Sequence, residues 1–167
     1  MKLGILSQDI NLYSTSRLFE TANKRGHDTQ VVSYLRCYMN IAKANPRIFF
    51  RGEELNFDSV IPRIAATWTF YGAAVVRQFE LMGSFSANSS ASISRSRDKL
   101  RALQLIGNSG VEMPVTGYVH FSRDIEAVLN TVGEPPFVIK LLEGTQGRGV
   151  VLTETMDAAI SAIETMK

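Results

Sequence analysis

Three glycines lie within six residues of this chain, between two short apolar runs. The first run, Phe137–Leu142, is typical of a strand and carries Lys140 near its end, and the second, Val150–Thr153, is typical of another strand. A glycine cluster lets backbone N–H groups turn toward an anion and approach it closely, because no Cβ obstructs the ligand or disfavours positive φ. The sequence therefore predicts a hairpin whose loop, Gly144–Gly149, is suited to covering an anionic ligand.

Two well-known phosphate-binding loops do not fit this segment. A P-loop needs Lys and Ser or Thr where Val150 and Val151 stand, and it needs a helix where a strand follows here. The dinucleotide-binding fingerprint needs glycines after the first strand, but residues 7–13 contain none. Two readings remain: a hairpin lid over ATP phosphates, of the kind that protein kinases also use, and a glycine-rich surface hairpin without a ligand. Lys140 favours the lid, because a charge that ends an apolar strand is costly unless the strand ends at a polar site.

The first half of the chain predicts alternating strands and helices. The predicted elements are the strand Leu3–Leu6, a helix that begins at the capping hydroxyls Ser14, Thr15 and Ser16, the strand Thr29–Tyr34, the strand Asp58–Pro62 and the helix Thr69–Met82. Residues 37–56 have a weak pattern, which predicts a loop with a short hairpin near Phe49. Gly83 ends the last of these helices, and its predicted buried side consists of Phe70, Ala74, Phe79 and Leu81.

The second half follows a stretch of small polar residues, Ser84–Ser96, where we place a domain boundary between residues 88 and 89. Its further predicted elements are the helix Asp98–Ile106, the strand Pro114–His120, the helix Arg123–Val132 and the helix Met156–Met166. The last helix carries an apolar stripe, whose members are Ala159, Ile160, Ile163 and Met166. We expect the remaining part of its partner surface to lie in a lobe beyond Lys167.

Composition excludes several classes of protein. The 167 residues carry 18 Lys and Arg against 16 Asp and Glu, a net charge of +2, which excludes a polybasic nucleic-acid arm and gives no strong field for steering toward RNA. The single cysteine, Cys37, makes no internal disulfide, as suits a reducing compartment. No apolar run reaches the ~18 residues of a membrane helix, and no targeting segment is visible. We therefore expect a cytoplasmic protein without direct membrane or nucleic-acid contacts.

Several strings together resemble one family. Asp98-Lys99 on a helix, then Gly110-x-x-x-Pro114-x-Thr116, then a strand ending in Lys140 before the glycine-rich hairpin resemble the first half of an ATP-grasp fold. A lone lysine such as Lys99 is ordinarily solvated surface, so it is the combination that carries the resemblance. The strings Val60-Ile61-Pro62-Arg63-Ile64, Arg97-Asp98-Lys99-Leu100-Arg101 and Glu143-Gly144-Thr145-Gln146-Gly147 resemble the RimK family of ribosomal protein modification enzymes, and the match runs from Met1 to about Met156.

The resemblance implies a fold and a set of roles. The implied fold is α/β, with a Rossmann-like pre-ATP-grasp domain of parallel sheet at 1–88 and, at 89–167, the first ATP-grasp subdomain, which carries the lysines and the hairpin. The implied ATP-binding residues are Lys99, Lys140, Glu143, Gly144, Thr145, Gln146, Gly147, Arg148 and Gly149. Arg63 and Arg77 are candidates for binding an acidic substrate, since a guanidinium fork suits a carboxylate.

The family's reaction, as the resemblance implies it, joins glutamate to the C-terminus of a small-subunit ribosomal protein through an acylphosphate. It implies ATP and Mg²⁺ or Mn²⁺, whose carboxylate ligands we expect beyond Lys167, because the one Glu-x-Asn triplet, at residues 54–56, precedes the lysines. We therefore expect a truncated chain without a complete catalytic set. Two alternatives stay open: an ATP-grasp ligase with another amino-acid or peptide acceptor, and a non-catalytic module that binds a partner or self-associates as a homo-oligomer.

Overall fold

The computed structural model describes residues 1–142 and 149–166. The chain divides into two compact units, Met1–Arg97 and Asp98–Lys167. The division falls after Arg97 rather than between residues 88 and 89, because the carboxylate of Glu80 accepts hydrogen bonds from the backbone N–H and the hydroxyl of Ser90. Those bonds hold the polar segment after residue 88 to the first unit.

The first unit contains seven strands and three α-helices among the residues described. Its strands are β1 (Lys2–Leu6), β2 (Asp28–Val32), β3 (Cys37–Asn40), β4 (Arg47–Phe50), β5 (Glu53–Glu54), β6 (Ser59–Pro62) and β7 (Phe85–Ser86). Its helices are α1 (Tyr13–Lys24), α2 (Thr69–Leu81) and α3 (Ser90–Arg97). The predicted elements of this half are therefore present, and Gly83 ends α2 with φ +88, a conformation that glycine adopts without strain.

A four-stranded parallel sheet in the order β2-β1-β6-β7 forms the centre of this unit. The two middle strands are apolar because both of their faces are covered, and Ile5 of β1 lies between Val31 and Ile61 in the register. The expected Rossmann-like parallel sheet is confirmed. Since parallel strands end at the same edge, the residues that follow β1 and β6 lie next to each other.

The predicted buried side of α2 is wrong in part. Phe79 is buried, but Phe70 is 91% and Leu81 64% exposed, and the core side chains of the helix are instead Val75 and Val76 together with Phe79. The helix is apolar nearly all round, so its periodicity does not select one side. Packing against the rest of the unit selects the side with the smaller residues.

Residues 37–54 form a sheet rather than the predicted loop. Strands β3, β4 and β5 pair antiparallel, and Tyr38 lies opposite Phe49. Arg51 and Gly52, both at positive φ, make the turn between β4 and β5. The short hairpin predicted near Phe49 is thus present as β4 and β5. Strand β3 was missed because residues 41–46 separate it from its partner β4.

The second unit is smaller. Its elements are α4 (Lys99–Gly107), α5 (Ile125–Val132), β8 (Phe137–Lys140), β9 (Val150–Thr153) and α6 (Met156–Thr165). Its core consists of Ile125, Leu129, Phe137 and Ala159. The strand predicted over Pro114–His120 is wrong: within the described part of the chain this segment pairs with no strand, and Val119 packs against the core instead.

The predicted apolar stripe of α6 is turned inward. Ala159 is fully buried, and Ile160 and Ile163 pack against the core of their own unit. These contacts cover Ala159 fully and Ile160 and Ile163 in part, so a further covering surface stays a prediction for the exposed remainder of the stripe. Every helix in the ranges described is too short or too polar to cross a bilayer.

Candidate functional site

The hairpin β8–β9 places Lys140 on its exposed face. The strands are antiparallel, with Val138 opposite Leu152 and Lys140 opposite Val150, and these two cross-strand pairs lie on the same face. Phe137, on the other face, is buried in the core of the unit. The exposed face is therefore apolar, with Val138 55% and Leu152 62% exposed, and it ends in one cation.

The two ends of the hairpin loop, at Leu142 and Gly149, lie in the described part of the chain. The backbone N–H of Leu141 donates to the carbonyl of Gly149 at 2.9 Å, which extends the pairing beyond Lys140. The predicted loop residues Glu143, Gly144, Thr145, Gln146, Gly147 and Arg148 lie outside the described residues. Gly149 has φ +73, and a Cβ there would lie 2.7 Å from Cδ1 of Leu141, so this position requires glycine.

Lys99 lies at the same end of the hairpin as Lys140. It is the first residue of α4, whose N-cap Asp98 accepts a hydrogen bond from the backbone N–H of Arg101 at 3.0 Å. The Nζ of Lys99 donates to the carbonyl of Leu142 at 2.5 Å. Since Leu142 is two residues beyond Lys140, the structure brings both predicted lysines to the mouth of the glycine-rich loop.

A lysine is unfavourable at the start of a helix, because the N-terminal end already carries partial positive charge. Here the cation of Lys99, the amino end of α4 and the exposed Lys140 all add positive charge near the loop. Backbone N–H groups and cations placed in this way stabilise a bound polyanion. The residues present therefore fit a nucleotide phosphate chain, with the apolar hairpin face beside it.

The described side chains do not form a site for the Mg²⁺ or Mn²⁺ ion that the family resemblance implies. The residues that the structure describes contain no group of three or more His, Cys, Asp or Glu side chains placed to hold a metal ion. Mg²⁺ and Mn²⁺ need hard oxygen ligands, which lysines and glycines do not supply. No metal-dependent step is therefore assigned to the described side chains.

The first unit has a cleft at the carboxyl ends of β1 and β6. Its volume is about 580 Å³, and Arg63, which directly follows β6, lines it. The guanidinium of Arg63 donates to the hydroxyl of Ser14 at 3.1 Å. Thr15, predicted as a helix cap, instead shares a buried hydrogen bond of 2.8 Å with Ser7 at the end of β1.

The two arginines predicted from the sequence differ in their positions. Arg63 lines the cleft, whereas Arg77 is exposed on α2 and is absent from the described residues that line it. Arg97 also lines the cleft and was missed, because the preceding serine-rich stretch reads as a linker rather than as a helix that folds back. Its guanidinium donates to the carbonyl of Ile64 at 3.0 Å.

Both units of the chain match models of known protein families. A protein-family model described as the RimK PreATP-grasp domain matches residues 1–93, and one described as the RimK-like ATP-grasp domain matches residues 96–167. A protein of Picosynechococcus sp. named "Probable alpha-L-glutamate ligase" is 59% identical over all of this chain and 56% of its own length. A protein of Aliivibrio fischeri with the same name is 56% identical over 98% of this chain and 55% of its own length. The chain thus spans about half the length of these relatives.

Solved structures show the same fold. A RimK domain ATP-grasp protein from Sphaerobacter thermophilus superposes with a TM-score of 0.69 at 22% identity, over 99% of this chain and 59% of the other. The ATP-grasp ligase PsnB, solved with precursor peptide PsnA2 and AMPPNP, superposes with a TM-score of 0.67 at 18% identity, over 99% of this chain and 61% of the other. At identities of 22% and 18%, the similarity to these two structures shows that the fold is shared.

Proposed function

Because this chain belongs to the RimK family of ATP-grasp proteins, we propose that it provides the pre-ATP-grasp unit and phosphate-binding residues of an ATP-dependent glutamate ligase. The observation that carries the proposal is the hydrogen bond from Lys99 Nζ to the carbonyl of Leu142, which gathers two lysines at the glycine-rich loop. The names of the relatives that are more than half identical supply the amino acid, glutamate.

In the proposed reaction an acceptor carboxylate attacks the terminal phosphoryl group of ATP, ADP leaves, and the carboxylate becomes an acylphosphate. The amine of glutamate then attacks the acyl carbon, phosphate leaves, and an amide bond forms. Negative charge grows on the transferred group, so cations and N–H donors aimed at it lower the barrier. Lys99 and Lys140 supply the cations, and the N–H groups of residues 143–149 supply the donors. The proposed acceptor is the C-terminus of a small-subunit ribosomal protein.

The substrate side of the proposal rests on Arg63. It lies at the carboxyl end of a parallel strand and lines a cleft, as a group that binds a carboxylate should. Arg77 has no comparable support, because the cleft lining does not include it. The proposal therefore assigns the acidic substrate to Arg63 alone.

Titration of the purified 167-residue chain with ATP tests the nucleotide site. We expect weak binding, which Lys140→Ala reduces about tenfold and Lys99→Ala less, because the exposed Lys140 contacts a phosphate more directly than Lys99, which also bonds Leu142. Lys24→Ala, at the exposed end of α1, is the matched control and should leave the affinity unchanged. Equal affinity in all three variants would contradict the phosphate-binding role.

Mass spectrometry tests the acceptor. We expect no glutamate transfer by this chain alone, since its described residues offer no metal-ligand cluster. A whole relative that includes the matching region should add mass in steps of one glutamate residue to the ribosomal protein. Addition to a different peptide or amino acid, and not to the ribosomal protein, would replace the proposed acceptor while keeping the ligase.

A further inference from the structure

The cleft of the first unit lies at the point where the order of the parallel sheet reverses. The chain leaves β1 toward β2 on one side, whereas β6 leads to β7 on the other side. In open α/β sheets, ligands bind outside the carboxyl ends of the strands at this reversal, because the two connections diverge and leave a crevice. The volume of about 580 Å³ lies within the range of about 300–1,000 Å³ that is typical of ligand sites.

The charge of the cleft has one sign. Among the described residues that line it, Arg63 and Arg97 are the ionisable side chains, and no Asp or Glu is present. The other polar groups are neutral hydroxyls and amides, such as those of Ser14 and Asn88. A cleft lined by two cations and no anion attracts a negatively charged ligand and repels a cationic one.

Both guanidinium groups are positioned by the protein. Arg63 donates to Ser14 Oγ at 3.1 Å, and Arg97 donates to the carbonyl of Ile64 at 3.0 Å. Neither forms an ion pair with an acidic side chain in the described part of the chain. Since a guanidinium has five N–H donors, each retains donors for a ligand in the planar geometry that suits a carboxylate.

The shape and composition favour a peptide over a nucleotide. The described lining residues of the cleft include no aromatic ring on which a base would stack. A neighbouring hollow shares Ser14 and Arg63 with the cleft and adds Arg17, whose guanidinium also pairs with Glu20. Arg63 and Arg97 in the cleft and Arg17 in the adjoining hollow thus offer more guanidinium groups than a single carboxylate requires.

We propose that this cleft binds a peptide segment with at least two carboxylates, one at Arg63 and one at Arg97. This inference rests on the proposed function, because the addition of glutamate to an acceptor itself builds such a segment. The cleft then holds the acidic tail of the acceptor. The class of ligand is an acidic peptide, and its recognition is through carboxylates rather than through a backbone or a base.

Fluorescence anisotropy of the 167-residue chain with labelled hexaglutamate tests this inference. We expect hexaglutamate to bind with an affinity that falls as salt is added, and hexaglutamine not to bind. Arg63→Gln and Arg97→Gln should each weaken hexaglutamate binding at least about fivefold. Arg95→Gln is the matched control, because Arg95 lies on the same helix as Arg97 but outside the cleft lining, and it should change the affinity less than about twofold.

Several results would overturn the inference: equal affinity for the two peptides, equal losses from Arg95→Gln and Arg97→Gln, or equally tight binding of single-stranded RNA. Arg97→Lys keeps the positive charge but not the planar guanidinium group, so it should lose less affinity than Arg97→Gln. Circular dichroism should show that each variant is folded. ATP titration of the same proteins separates the two proposals. Bound ATP without bound hexaglutamate removes this inference alone, whereas bound hexaglutamate without ATP removes the nucleotide site and leaves the cleft.

Discussion

Gly149 combines two local constraints at the end of the glycine-rich loop. Its φ of +73 disfavours any side chain, and an added Cβ would lie 2.7 Å from Cδ1 of Leu141. We expect Gly149→Ala to lower the free energy of unfolding of the second unit by about 1–3 kcal/mol, because both backbone strain and steric overlap oppose it. Urea unfolding followed by circular dichroism measures the change.

Gly110 is the matched control for this substitution. Its φ is +76, but an added Cβ would meet nothing within 4 Å, so Gly110→Ala should cost about 1 kcal/mol from the backbone alone. Adding Leu141→Ala to Gly149→Ala should recover part of the loss, because it removes the overlapping methyl group. The same cost at both glycines, with no recovery, would mean that the contact with Leu141 is unimportant.

Cys37 gives the first unit a pH dependence in the alkaline range. Burial raises the pKa of its thiol to about 12. Tyr71, whose hydroxyl donates to the carbonyl of Cys37, also has a raised pKa, from burial and then from the charge of Cys37. The folded state thus holds the thiol proton more tightly than the unfolded state does, so the unfolded state loses it first as pH rises.

We expect the free energy of unfolding to fall as pH rises from the ordinary thiol pKa of about 8.5 toward the folded value of about 12. At pH values below that range, Cys37 should contribute nothing to the pH dependence of the free energy of unfolding. Urea unfolding at a series of pH values measures this, with Cys37→Ala as the comparison, which removes the thiol and also its contribution to the raised pKa of Tyr71. If the free energy of unfolding depends on pH identically in both proteins, Cys37 is not the source of this dependence. As a second test, a thiol reagent at pH 8 should react at least about 100-fold more slowly with folded than with unfolded protein.

Helix α3 is attached to the first unit by a cap that comes from another helix. Glu80 of α2 accepts from the backbone N–H of Ser90 at 2.8 Å and from its hydroxyl at 2.6 Å. We expect Glu80→Ala to lower the free energy of unfolding of the first unit by about 1–2 kcal/mol, because an N-terminal N–H of α3 loses its acceptor. Glu80→Gln keeps one acceptor oxygen and should cost less.

The control for this cap is an acidic residue that pairs only on the surface. Glu20→Ala removes an exposed ion pair with Arg17, for which we expect less than about 0.5 kcal/mol. If Glu80→Ala costs no more than Glu20→Ala in denaturant unfolding, the cap does not hold α3. Arg97, at the end of that helix, is then positioned by its hydrogen bond to the carbonyl of Ile64 rather than by the cap.

Elements with a strong local pattern could be predicted from the sequence, and those that depend on distant partners could not. The β1 run and the end of α2 at Gly83 follow from local composition, and the structure confirms them. Pro114–His120 has a strand-like pattern, but a strand also needs a neighbour, which lies far away in the sequence. Strand β3 was missed because it pairs with β4 across the intervening residues 41–46, a pairing that its own short pattern does not indicate.

The same distinction applies to the candidate site. Lys99 and Lys140 stand beside recognisable motifs, and the hydrogen bond to Leu142 brings their segments together. Arg63 follows a predicted strand, so its position at the sheet edge could be inferred. Arg97 enters the cleft because Glu80 caps α3, a contact between residues that no short pattern links.

At the scale of the whole molecule, the described residues form two hydrophobic cores with no residue in common. The larger core includes Val75 and Phe79 of the first unit, and the smaller includes Leu129 and Phe137 of the second. Cooperative unfolding follows from shared packing, so two cores of different size predict two transitions. The smaller core, which covers less apolar surface, should unfold first.

Trp68 makes the two transitions separable, because it is the only tryptophan in the sequence and lies in the first unit. We expect Leu129→Ala to lower the stability of the second unit by about 2–4 kcal/mol, which shifts the early part of the circular dichroism transition and leaves Trp68 fluorescence unchanged. Val75→Ala should shift the Trp68 transition instead. A shift of Trp68 fluorescence by Leu129→Ala, matching the shift in circular dichroism, would show that the chain unfolds as one cooperative unit despite its separate cores.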